Sequence, residues 1–463
     1  MLACLVLLAS SHLNSSENLF FYNQLKKISL SRGIFFYVAT LDVITTDGEG
    51  VRVGRLGLPR STHTFSRAVS VLRTIHEPHI FYDPIAFLGA LCYNLAAMIT
   101  QTFDELFSFE ALYRAHMRAR SGKRCKRPVV RFELNMTERV YELYTRLHSG
   151  AYKLGNYHSF VVYEPKKRQI QTLYYSDRVV QHVLCDNVLA PYFTRRAILD
   201  NCVCQTGKGA HFALARFEKK LHSFILTHGV NGYFLKCDIL KYFPSIPHAK
   251  LKETVCGQIL DEKLRDYVTH IIDSYHTAPD YLFKYGLESF GEGDKTERGI
   301  PIGNQSSQIF GMYYLDPVDR LVKEQLRVGI YSRYMDDFVV VHEDKEFLQR
   351  VLSEIIKCLN TLGLKLNSKT QIFPLKNGVT YLGYRYRVLD SGKIVKTVKK
   401  PTKRRFRWRA RLLKKGYLDG YIDKERVKSS LASIHGHLSH GTNEKFEREI
   451  NYKLQPILKE EEK

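Results

Sequence analysis

The run YSRYMDDFVVV, residues 331–341, constrains this chain most. Two adjacent carboxylates, Asp336 and Asp337, separate a tyrosine-rich run from a β-branched one. Successive side chains of a straight strand point to opposite faces, and each buried acid would need its own compensation for desolvation. A tight turn resolves the conflict, so the stretch is predicted to be a strand, a turn and a strand. Taken alone, an Asp-Asp turn is ordinarily just solvated. A third acid changes the balance. Asp238 sits in FLKCDILKYF among Phe234, Leu235, Cys237 and Ile239, a strand context where an unpaired carboxylate is costly.

Two or three clustered carboxylates repel one another unless a divalent cation compensates them. Mg²⁺ prefers such hard oxygen ligands and leaves positions open for phosphate oxygens. Two ions about 3.5–4 Å apart can activate a hydroxyl and stabilise the leaving oxygen of an in-line phosphoryl displacement. Charge points the same way. The 463 residues hold 70 Lys and Arg against 47 Asp and Glu, a net charge of +23. A surplus of that size calls for a polyanionic partner, nucleic acid ahead of an anionic membrane.

Other classes fit less well. A hydrophobic fraction of 44% supports buried cores and excludes a disordered chain. The nine cysteines lack metal-ligand spacing; Cys202 and Cys204 are the one close pair. Reduced thiols in a cytoplasmic protein are expected. The opening MLACLVLLAS has no basic residue before its apolar run, a poor secretory signal. The uncharged stretch Pro84 to Phe103 is long enough to span a bilayer. It contains Asn94, Thr100, Gln101 and Thr102 and reads as a buried helix, so no membrane association is expected.

Residues 1–100 lack clear periodicity and read as an N-terminal extension. Helical spacing follows from Phe103 to Ser149, interrupted by the basic loop RARSGKRCKRP, which is predicted to end at the helix-breaking Pro128. HSFVVYEPKKRQIQTL reads as two short strands joined by a basic turn. SDRVVQHVLCDNVLAPYF reads as a helix capped by Ser176. A strand ending near Lys241 precedes a helix-rich insertion reaching about Phe290. The amphipathic helix FLQRVLSEIIKCLNTLG is closed by Gly363. LKLNSKTQIF and VTYLGYRYRV read as short strands. From Lys396 the run KTVKKPTKRRFRWRARLLKK is more than half Lys or Arg and leads into helices. The fold class expected is α+β.

Several segments, in this order, resemble the motifs of reverse transcriptases. KKRQIQTL followed by SDRVVQH resembles the fingers motifs, DILKYF from Asp238 resembles motif A, and RGIPIGNQSSQ (Arg298 to Gln308) resembles motif B. YMDD resembles motif C, LGLKLNSKT motif D, and YLGY the primer-grip hairpin. The resemblance implies a right-hand polymerase fold: fingers over 101–229, palm over 230–390 and a basic helical thumb over 391–463. It implies an RNA-directed DNA polymerase using two Mg²⁺ ions, with Mn²⁺ as a substitute. Its partners would be an RNA template, a DNA or RNA primer and deoxynucleoside triphosphates.

Residue roles follow from the resemblance. Asp238 and Asp336 would be the main metal ligands, with Asp337 completing the acidic cluster. Lys167 and Arg168 would meet the triphosphate, a task that suits a bidentate guanidinium; otherwise they belong to a solvated turn. Phe243, five residues after Asp238, would block a 2′-hydroxyl, unless it is plain core. Gly303 would let the backbone approach the template–nucleotide pair, or serve only a turn. Lys369 would protonate pyrophosphate, or be a solvated surface lysine. Motif B departs from the viral pattern: Ile302 precedes the glycine and Ser307-Gln308 closes the motif. These features are similar to bacterial diversity-generating retroelement enzymes, with retron and group II-like enzymes sharing the layout. Such enzymes imply a structured non-coding RNA or a small accessory protein as further partners. An antiviral-defence polymerase and a non-catalytic, maturase-like RNA-binding protein remain as other readings. Arg404, Arg405, Arg407, Trp408 and Arg409 mix cations with an aromatic ring, suiting phosphate contact and base stacking. A solvated basic helix is the plainer reading of that run. Too few residues follow the palm for a nuclease domain beside a thumb.

Overall fold

The computed structural model describes residues 40–47, 50–57, 80–81, 98–163, 166–287 and 297–459. The opening apolar run and most of Pro84 to Phe103 lie outside them. The chain divides into two compact units, Met1–Met98 and Ile99–Lys463. In the first, strands β1 (Thr40–Asp47), β2 (Gly50–Gly57) and β3 (Ile80–Phe81) form an antiparallel sheet in the order β2-β1-β3.

In the second unit, β4 (His158–Val162) and β5 (Arg168–Thr172) form the predicted basic hairpin. Strands β6 (Tyr233–Asp238), β7 (Ile330–Tyr334), β8 (Asp337–His342) and β9 (Gln371–Pro374) make an antiparallel sheet in the order β7-β8-β6-β9. A second antiparallel sheet joins β10 (Val379–Tyr381), β11 (Tyr384–Val388) and β12 (Ile394–Val398). Strand β12 runs through Lys396, so this sheet continues past the compositional break that marks the basic tail.

The central strands β6 and β8 are buried on both faces, which is why they read as continuous apolar runs rather than alternating ones. Leu235, Cys237, Phe338 and Val340 face one core, shared with helices α1 (Tyr175–Leu184), α2 (Gln305–Tyr314) and α3 (Lys345–Thr361). Phe234, Val339 and Val341 face a second core, shared with β10–β12 and the C-terminal helices α4 (Lys400–Leu418), α5 (Lys424–Leu438) and α6 (Glu444–Lys459). Each fully buried side chain of this kind contributes about 1.5–3 kcal/mol. The four-stranded sheet is thus fixed from both sides.

Two local expectations need correction. Pro128 does not end a loop: it lies in the first turn of a helix, Arg127–Glu133, where its missing N–H has no intrahelical partner to lose. Ser176 is not the cap of α1, whose N-cap is Tyr174. Gly363, with φ 68°, does follow α3 in the left-handed conformation that terminates helices. The insertion after β6 consists of helices His248–Cys256, Glu262–Asp273 and Pro279–Lys284, and residues 288–296 beyond it lie outside the described ones.

Candidate active site

The three aspartates meet at one end of the four-stranded sheet. Asp238, the last residue of β6, is the direct cross-strand partner of Asp337, the first residue of β8. Directly opposed residues of an antiparallel pair share a face. Asp336 occupies the two-residue turn between β7 and β8, whose first member, Met335, has φ 59°. A non-glycine residue there is strained, a feature typical of functional turns. Burial raises the Asp336 carboxyl above its ordinary range and the Asp238 charge adds to the effect; a backbone hydrogen bond and the charges of Arg168 and Lys236 oppose it. The three acids do not bring ligand atoms within 4.8 Å of one another as a group.

Lys236 lies two residues before Asp238, hence on the same face of β6, and its ammonium contacts the Asp337 carboxylate. Burial lowers its pKa to about 8, against the pull of Asp238 and Asp336. The lysine was not singled out from sequence, although a cation inside FLKCD was the available signal. It supplies positive charge among three acids, the electrostatic task a divalent cation performs. These hard oxygen donors, with the Asp336 carboxyl destabilised by burial, fit a Mg²⁺-class ion.

Buried polar braces hold the turn. Arg333 and Asp319 are both fully buried, with Arg333 Nε donating to Asp319 Oδ1 at 2.7 Å and Nη2 donating to Oδ2. Arg333 Nη1 donates to the Met335 carbonyl in the turn at 3.1 Å, and Nη2 to the Met312 carbonyl of α2 at 2.9 Å. Burial works against the Arg333 charge, but Asp319 outweighs it and holds the guanidinium above its ordinary value. On the other side, Asn367 Nδ2 donates to Asp238 Oδ2 at 3.1 Å, and the Asn367 N–H to the Asp238 carbonyl at 2.7 Å. Asn367 lies in LGLKLNSKT, yet nothing local told it from its neighbours. Lys369, in the same loop, is exposed.

Arg168 opens β5 on the exposed hairpin and reaches Asp336 electrostatically; Lys167 beside it is exposed, its ammonium 5.9 Å from the Tyr163 ring centre. The hairpin also docks on motif B, the Gln171 N–H donating to the Ile302 carbonyl at 2.8 Å. Gly303 has φ 141°, and a Cβ there would collide with the Gln171 carbonyl and lie 3.0 Å from Ile170 Cγ2. Its glycine requirement is therefore already set by the protein's own β5. Phe243 is half-buried, 3.4 Å from where a Gly311 Cβ would be. Gln308 is exposed on α2, with the Cys204 thiol 3.8 Å from its Oε1.

The basic residues of α4 divide by helix face. Thr402, Phe406, Ala410 and Leu413 are buried at helical spacing. Arg404 and Trp408, with Arg411 and Lys415, form an exposed stripe on the other side. Arg405 is half-buried. Arg407 is engaged otherwise than its sequence suggests: Nε and Nη2 both donate to Glu449 of α6 at 2.7 Å. That bond, with Lys453 assisting, lowers the Glu449 pKa to about 2. Arg409 Nη2 lies 3.3 Å from the Ser430 hydroxyl. No described helix is long and apolar enough to cross a membrane.

Residues 165–386 match the family described as reverse transcriptase (RNA-dependent DNA polymerase). Similar solved structures include telomerase from Candida albicans in complex with a TWJ fragment of telomeric RNA, at 12% identity and a TM-score of 0.39, over 66% of this chain and 55% of that one. Apo telomerase from Candida tropicalis is similar at 14% identity and a TM-score of 0.34, over 52% of this chain and 48% of that one. The chain thus spans about half the length of these telomerase chains. No curated protein matches it. The stretch similar to that family holds Arg168, Asp238, Gly303, Asp336 and Asp337 and combines helices with antiparallel sheets in a mixed α+β fold.

Proposed function

We propose that this chain is an RNA-directed DNA polymerase that extends a primer on an RNA template, with fingers over 101–229, palm over 230–390 and thumb from 391. The observation that carries this reading is the pairing of Asp238 with Asp337 across β6 and β8, with Asp336 in the adjoining turn. Asp238 and Asp336, completed by Asp337, would hold two Mg²⁺-class ions. When bound, these supply activation of the primer hydroxyl and neutralisation of the leaving pyrophosphate.

The chain's own residues do the remaining work. Arg168 and Lys167 bind the triphosphate oxygens from the hairpin that faces Asp336. Phe243 restricts the sugar on this reading, selecting deoxynucleotides. Ile302 and Gly303 line the nascent pair beside β5, Gln308 extends that surface along α2, and Lys369 donates a proton to pyrophosphate on this reading. Arg404, Trp408 and their exposed neighbours hold the template–primer duplex by phosphate contact and stacking. Ile302 and Ser307-Gln308 favour an enzyme of a bacterial retroelement, in the cytoplasm, with a structured RNA or small accessory protein as further partner. An antiviral-defence role would use the same chemistry.

The contact between Lys236 and Asp337 favours one rival, a polymerase-derived RNA-binding protein without catalysis. Primer extension on an RNA template with labelled deoxynucleotides separates the two. Incorporation by the parent and its loss in Asp336→Ala are expected; equal signals in both refute the polymerase reading.

A further inference from the structure

Outside the aspartate cluster, one group of described side chains has the spacing of a metal site. Among the described residues, His248, His276 and Glu297 place one ligand atom each within 4.8 Å of one another. They come from the start of helix His248–Cys256, from the loop after helix Glu262–Asp273, and from the segment leading into motif B. His248 is only 2% exposed. Its Nε2 lies 2.7 Å from the Gly299 carbonyl and must carry the proton, because a carbonyl can only accept. That leaves Nδ1 as a buried lone pair without a hydrogen-bond partner.

What surrounds Nδ1 makes its position unusual. Asp273 Oδ1 lies 3.4 Å away and is itself buried without a hydrogen-bond partner, while Asp273 Oδ2 takes Lys252 at 2.6 Å. Glu297 Oε2 lies 3.9 Å from His248 Nδ1 and 3.6 Å from His276 Nδ1. The buried His248 Nδ1 lone pair therefore faces two carboxylate oxygens, Asp273 Oδ1 and Glu297 Oε2, with His276 Nδ1 beside the second, an arrangement that a bound cation relieves. Ligands 2.0–2.1 Å from a tetrahedral Zn²⁺ are separated by about 3.3 Å, close to these spacings. The imidazole N–H held by a backbone carbonyl is the usual orienting contact of a metal-bound histidine.

We propose that His248, His276 and Glu297, with Asp273 alongside, form a binding site for a Zn²⁺-class divalent ion. The ion ties the entry of motif B to the helical insertion that follows β6. The surrounding backbone is already laced together there, the His248 N–H donating to the Glu297 carbonyl and the Thr277 N–H to the Arg298 carbonyl, both at 2.8 Å. Metal would lock the same three segments through their side chains. The site's role is structural, and it stands whether or not the aspartate cluster polymerises DNA.

The test strips the full-length protein with chelator, titrates it with Zn²⁺ against a chromophoric competitor, and counts bound metal by elemental analysis. One tight equivalent per chain is expected, retained in Asp238→Asn/Asp336→Asn. The side chains of His276 and Glu297 are 48% and 61% exposed, so His276→Ala and Glu297→Gln should fold normally, which circular dichroism checks. Each should weaken Zn²⁺ at least ~10-fold, the scale on which even outer contacts of metal sites act. Equal zinc affinity in the parent and the His276→Ala/Glu297→Gln double variant overturns the proposal. So does loss of zinc only in the aspartate variant, or no tight zinc in the parent.

Discussion

Replacing Asp319 with alanine should be among the most damaging changes outside the acidic cluster itself. The residue is fully buried and receives Arg333 through two hydrogen bonds, and the Tyr331 hydroxyl through a third at 2.7 Å. Its removal strands a guanidinium that is likewise fully buried. Breaking a buried pair from one side costs about 3–5 kcal/mol, because the remaining charge has no solvent to return to. The orphaned Tyr331 hydroxyl argues for the upper end, since an unsatisfied buried donor alone costs about 1–3 kcal/mol. Removing both charges with Asp319→Leu/Arg333→Met should recover most of the loss. The recovery stays incomplete, because Arg333 also holds the Met335 and Met312 carbonyls. Urea unfolding of parent, single and double variants, followed by circular dichroism, gives the coupling energy directly. A cost below about 1 kcal/mol for Asp319→Ala, or single-variant costs that simply add, would refute the idea that this pair braces the catalytic turn.

Further outcomes follow from the geometry. Gly303→Ala combines a positive-φ backbone with a Cβ collision against β5, so it should lose about 1–3 kcal/mol by thermal unfolding, with primer extension falling in parallel. Arg404→Ala should reduce the salt slope of RNA binding by about one, and Trp408→Ala should weaken single-stranded RNA by about 1–3 kcal/mol per stacked base. Arg407→Ala should instead lower stability while leaving the salt slope nearly intact; its pairing helps above the ordinary glutamate pKa and fades as pH falls towards 2, where Glu449 protonates. Asp336→Asn should abolish synthesis yet stabilise the metal-free protein at neutral pH. The raised Asp336 pKa means that charge opposes folding there, and the gain should vanish as pH drops below the unfolded carboxylate pKa; a metal-free melting profile without that gain would contradict it.

The loss of activity expected for Asp336→Asn was foreseeable from YMDD read together with Asp238, but its stabilising effect was not. An acid pair between two apolar runs demands a turn, and the observed β7–β8 hairpin is that turn. An acid ending an apolar strand demands a partner, and cross-strand register supplies Asp337. These are local statements about strand period and desolvation, so they survive without knowledge of the fold. The helix capped by Tyr174 rather than Ser176, and the helix begun by Pro128, show how quickly local signals blur at element ends.

Side chains far apart in sequence carry no such mark. Arg407 and Trp408 are neighbours in one basic run, and only the packing of α4 against α6 gives one to Glu449 and leaves the other exposed. Gly303 reads as a turn glycine, or as one that admits the template–nucleotide pair, until β5 arrives where its Cβ would be. His248, His276 and Glu297 have no ligand-like spacing, because three separate segments deliver them. The amino-acid sequence by itself determined the strands, the turn, the acids and the charge that demands a polyanion, since each follows from local periodicity and desolvation. Tertiary structure alone decided which cations stay free, which glycine is obligatory and which acceptors converge on a buried imidazole, because those depend on long-range contacts that no local pattern encodes.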